Sequence, residues 1–128
     1  MNPVARVLVV DNDFRFLELA SSIFSNQGVE VVCASDPDQA HFHLNSGPKF
    51  DAVVADLSSP YFGSPQYCQT LVNKFPLVVV SATEDRGFLE RYSSLCDCVL
   101  AKNSIAELLF VATVKAIERH QLGLQLVG

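Results

Sequence analysis

Five short apolar runs, "RVLVV", "VEVVC", "DAVVA", "LVVVSA" and "CVLA", are spaced along the chain. Within each run the apolar residues are continuous rather than alternating. A strand with one wet face alternates, whereas a strand covered on both faces does not, so these runs suit the interior of a parallel sheet. Parallel neighbours need long crossovers, and the segments between the runs have helical spacing. The first, Phe14 to Gln27, carries an apolar stripe of Phe16, Leu17, Ala20, Ile23 and Phe24, and Gly28 stops it. The second opens at Asp36 and Pro37, a capping acid followed by a proline suited to the first helical position. A third is expected from Ser64–Pro65 to about Lys74, and a fourth from Glu84 to Leu95, weakened by Gly87. The fifth has capping-box spacing, Ser104 with Glu107, and a stripe of Ile105, Leu108, Leu109, Ala112, Ala116 and Ile117. Strand then helix, five times over, predicts a doubly wound α/β fold: a five-stranded parallel sheet flanked by five helices, with right-handed crossovers.

At 128 residues, nearly half of them apolar, the chain is long enough for one domain with a real core. The net charge of −5 and the scattered Lys and Arg argue against a general nucleic-acid binder. No apolar stretch approaches the ~20 residues of a membrane helix. The start, "MNPVARVLVV", lacks the layout of a signal peptide, so a cytoplasmic protein without membrane partners is expected. Cys33, Cys68, Cys96 and Cys98 match no zinc or redox spacing and are expected to be core or half-buried free thiols. Cys96 and Cys98 bracket one Asp and are expected on one strand face. His41 and His43 are two apart, which turns them in different directions on a helix, and zinc-binding helices want three or four, so both are expected to be solvated.

In such sheets the site lies beyond the carboxyl ends of the strands, where strand order reverses. The first run delivers Asp11, Asn12 and Asp13 to that edge; the third delivers Asp56, the fourth Ser81 and the fifth Lys102. Crowded carboxylates repel unless a cation intervenes. Mg²⁺ suits one or two carboxylates, waters and a phosphate oxygen. An Asp can accept a phosphoryl group as nucleophile, with a metal and a lysine neutralising the equatorial oxygens and a hydroxyl bonding them.

These motifs resemble those of the response-regulator receiver domains of two-component signalling, along essentially the whole chain. "VLVVDND" is similar to the acidic pocket motif, and "FDAVVADLSSP" to the phosphoacceptor segment. "PLVVVSA" is similar to the fourth-strand motif and "CVLAK" to the fifth. The resemblance implies a flavodoxin-like fold of receiver type spanning residues 1–128 as a single domain, without an output domain in this chain. It implies Asp56 as phosphoacceptor, assisted by Lys102 and Ser81. It implies Mg²⁺ held by Asp11, Asn12, Asp56 and the backbone carbonyl of Ser58, with Asp13 as a candidate substitute ligand. The implied partners are a sensor histidine kinase or phosphotransfer protein and a downstream protein. The implied chemistry is that of a signalling domain, limited to its own phosphorylation and dephosphorylation.

Three positions depart from the family pattern. Asn12 stands where a second acid is usual, Val99 where an aromatic ring often swings on activation, and Asn103 where a proline usually follows the lysine. They support an alternative, a degenerate receiver that binds proteins without being phosphorylated. A remoter alternative is a phosphatase of the haloacid-dehalogenase type with Asp11 as nucleophile and Asp13 as acid/base. That chemistry needs further acids after the lysine, and only Glu107 and Glu118 follow, both within the fifth helical segment.

Overall fold

The structure, a computed structural model, describes residues 5–56, 74–82, 87, 90 and 96–127. Five strands, β1 Arg6–Val10, β2 Glu30–Ala34, β3 Ala52–Asp56, β4 Leu77–Ser81 and β5 Cys98–Ala101, form one parallel sheet in the order β2-β1-β3-β4-β5. Three α-helices are described: α1 Phe14–Ser25, α2 Pro37–Asn45 and α3 Ile105–Val127. The expected third and fourth helices fall almost wholly outside the described residues, as do Ser58 and Cys68.

The continuous apolar runs have the burial that their composition requires. Residues alternate between two core layers, as period-2 side chains must. Val7, Val9, Val54 and Val80 pack with Phe16, Phe24, Ile105 and Leu109 on the side of α1 and α3. Leu8, Val10, Val53 and Val79 pack with Ala40 and Phe50 on the opposite side. Both faces are apolar, so no alternation shows in the sequence.

Local chemistry sets the helix ends. Asp13 has extended backbone, and its carboxylate accepts the Arg15 N–H at 3.0 Å, capping α1. Gly28, at φ 76°, takes the left-handed conformation that lets the chain turn into β2. Asp36 caps α2 by accepting the Gln39 N–H at 2.8 Å. In α2 His41 is exposed and His43 half-buried, its ring edge-on to Phe42.

Three expectations need correction. The inward face of α3 runs Ile105, Leu109, Thr113, Ala116, whereas Leu108 is 45% exposed. Thr113 is tolerated inside because its hydroxyl donates to the Leu109 carbonyl at 2.8 Å. Ser104 belongs to a 3₁₀ turn, Lys102–Ser104, and its hydroxyl donates to Asn103 Oδ1 at 3.3 Å rather than closing a capping box with Glu107. Cys96 and Cys98 lie in opposite core layers. Cys96 precedes β5, whose pairing with β4 begins at Cys98; just before it, the Asp97 N–H donates to the Leu77 carbonyl at 3.0 Å, and the Asp97 carboxylate accepts the Leu77 N–H at 2.8 Å.

Candidate functional site

The register brings the strand ends into a row. Val10 pairs with Ala55, Asp56 with Val80 and Ser81 with Ala101. Asp11, Asp56, Ser81 and Lys102 therefore emerge side by side at the carboxyl edge. Strand order reverses between β1 and β3, so Asp11 and Asp56 flank the switch point where an open α/β sheet leaves a crevice.

Lys102 joins them. Its Nζ lies 2.8 Å from Asp11 Oδ2 and 2.9 Å from Asp56 Oδ2. Asp11 and Ser81 are fully buried and Asp56 nearly so, while the lysine side chain is 19% exposed. The other Asp11 oxygen, Oδ1, accepts the Asp13 N–H at 2.8 Å, which ties the carboxylate to the start of α1. Asp11 Oδ2 has no aligned hydrogen bond among the described residues; the ammonium is its electrostatic partner. Two carboxylates facing one ammonium leave a formal local charge of −1.

Titration follows from this packing. Burial pushes the Asp11 carboxyl above its ordinary value, aided by the charge on Asp56 and opposed by Lys102 and the Asp13 N–H. Burial works against the Lys102 ammonium, but its contacts with Asp11 and Asp56 and their charges outweigh that, and its pKa is raised.

The donor set suits a hard divalent cation. Asp11 and Asp56 supply buried carboxylate oxygens, one of them without an aligned hydrogen bond, and Mg²⁺ needs only one or two carboxylates beside waters. Among the described residues no group of three or more His, Cys, Asp or Glu side chains gathers in a way that could hold a metal. Asn12 and Asp13 are exposed, and Asp13 Oδ1 is engaged as the α1 cap. The expected residues thus divide: Asp11, Asp56, Ser81 and Lys102 converge in the buried row, while Asn12 and Asp13 sit at its rim.

Two features escaped the sequence reading. The Lys102 ammonium lies over the Phe16 ring, 4.9 Å from its centroid. Phe16 carried only the signal of a core stripe. At the opposite end of the sheet, His120 Nε2 lies 3.1 Å from both Asp97 oxygens and pins α3 to the start of β5. That pair spans 23 positions without any motif.

No protein-family model and no curated protein sequence matches the chain. Solved structures do. A response-regulator receiver domain protein from Clostridium thermocellum superposes with a TM-score of 0.79 at 19% identity, covering 93% of this chain and 98% of that one. The receiver domain of the Francisella response regulator 1452 gives 0.76 at 23% identity, with 91% and 98% covered. The signal receiver domain of an HD domain-containing protein from Pseudomonas fluorescens gives 0.81 at 17% identity, with 98% and 94% covered. The chain therefore has the flavodoxin-like fold of response-regulator receiver domains, and at these identities the likeness speaks for fold alone.

Proposed function

We propose that this chain is a receiver domain that accepts a phosphoryl group on Asp56, with Mg²⁺, from the phosphohistidine of a kinase or phosphotransfer protein. The observation that carries this reading is the position of Lys102 Nζ, within 2.9 Å of two buried carboxylates at the switch point of a parallel sheet. In the transfer, an Asp56 carboxylate oxygen forms the new bond to phosphorus, and the bond from phosphorus to the donor nitrogen breaks. The imidazole leaves with that electron pair. Lys102 stands where its charge can meet an equatorial oxygen, and Ser81, one register step along on β4, stands where its hydroxyl can bond another. Asp11 and Asp56 would hold Mg²⁺, whose contribution is to neutralise charge on the transferred group. A surface change then carries the signal to a partner, and the fold is that of a signalling domain rather than of a conventional enzyme.

Intact mass measurement after acetyl phosphate and Mg²⁺ treatment tests the reading. The expected result is one added phosphoryl group, absent in Asp56→Asn. An unmodified wild type that also binds no beryllofluoride turns the reading to a phosphorylation-independent binding module. The exposed Asn12, an amide where a second acid would face the cation, is the observation favouring that alternative.

A further inference from the structure

We propose that Phe16 is a positioning residue for Lys102, its ring face holding the ammonium in place between the Asp11 and Asp56 carboxylates. The functional half of this inference rests on the reading of Asp56 as acceptor; the positioning half does not. Lysine carries a flexible four-carbon stem and a point charge, so two carboxylates leave its head free to swing about the line that joins them. A third contact off that line fixes it. The Phe16 ring supplies such a contact from α1, with its centroid 4.9 Å from Nζ, inside the ~6 Å range over which a ring face attracts a cation. Phe16 is 5% exposed and the lysine side chain 19%, so little water screens the interaction. The same end of α1 is tied to Asp11 through the Asp13 N–H. Helix start, carboxylate and ammonium are thereby one unit. Asn103 follows Lys102 within the 3₁₀ turn, so no proline ring stiffens the backbone beside the lysine.

The bland account makes Phe16 a core residue beside Leu17 and Ala20. On that account only ring shape matters. On ours the negative face of the ring matters as well, and the two separate experimentally. Fluorinated phenylalanines with one, two and three fluorines, incorporated at position 16 of the full chain, keep the shape nearly constant and progressively remove the negative face. The first measurement is the order of the Lys102 ammonium by ¹⁵N relaxation at neutral pH without any phosphodonor. It is expected to fall stepwise with fluorine number and to be lowest in Phe16→Leu. The second is the rate of Asp56 modification by acetyl phosphate with Mg²⁺, expected to fall roughly three- to tenfold over the series. An ammonium order unchanged across the series overturns the proposal, whatever the modification rate does. An order that falls in a protein that no donor modifies supports the positioning role and removes the functional reading instead.

Discussion

Lys102 carries one positive charge between two buried negative ones, and removing it exposes what that charge does. In Lys102→Met the Asp11 and Asp56 carboxylates face each other with no ammonium between them. Breaking a buried ionic group by deleting one partner costs about 3 kcal/mol, and the urea midpoint should fall accordingly. Acidification should return part of the loss, since protonating a carboxyl relieves the repulsion. The wild type has its own pH signature, and the two groups act in the same direction, each in its own pH window. Lys102 titrates higher folded than unfolded, so its stabilisation is complete below pH 10.5 and is lost as pH rises through the folded value. Asp11 is also raised, so here too the folded state holds the proton more tightly. Its ionisation therefore weakens the fold as pH climbs from 3.8 through the folded value. The stability of wild type minus that of Asp11→Asn should accordingly drop over that acidic window and stay level at neutral pH. A difference that is flat from pH 3 upward would show that burial does not penalise the Asp11 carboxylate.

Elements were legible in the sequence where one physical signal dominated. The strands announced themselves because a sheet covered on both faces demands unbroken apolar runs, and α1 because its stripe, cap and stop agree. The phase of α3 was legible from Ile105, Leu109, Ala112, Ala116 and Ile117, which lie in or against the core. Two positions were not: Leu108 reads as core by hydropathy but is exposed, and Thr113 is buried because a threonine can satisfy its hydroxyl on the preceding turn. Long-range polar pairs were invisible for a different reason: Asp97 and His120 meet only because β5 and α3 are folded against each other. Two predictions belong to this scale. Asp13→Ala removes the α1 cap and should cost about 1 kcal/mol, seen as a lower melting temperature. Asp97→Ala leaves the partly buried Leu77 N–H without its side-chain partner and removes the polar tie between α3 and the start of β5, and should cost about 2 kcal/mol. His120→Ala removes only the second of these and should cost less, which chemical denaturation of both variants would resolve.

Over the whole molecule, the fold gathers negative charge at one edge of the sheet and leaves it one positive charge short. The candidate site was legible as a set of strand ends, Asp11, Asp56, Ser81 and Lys102, because the parallel register carries each to the same edge. What the sequence could not tell was the fate of the flanking positions. Asn12 and Asp13 are exposed, and Asp13 serves the helix. Asn12 is the informative position, since it is an amide between two acids. Restoring a charge there, Asn12→Asp, adds an anion at the rim of a pocket already at −1. With Mg²⁺ bound, the added carboxylate gains from a divalent charge across a half-wet site, and affinity should tighten about tenfold. Tenfold in Kd corresponds to about 1.4 kcal/mol. Because binding only the folded state stabilises by mass action, that difference should appear as a larger Mg²⁺-induced rise in melting temperature, by about 4 °C for a domain of this size. Without Mg²⁺ the same substitution adds repulsion that Lys102 alone cannot offset, so the metal-free variant should melt below the wild type. Melts of both proteins across a Mg²⁺ titration, with Asp11→Asn as the control that should lose the response, read all of these at once. Equal Mg²⁺ shifts in wild type and Asn12→Asp would mean that position 12 does not face the cation, and that Asp11 and Asp56 hold it without help from the rim.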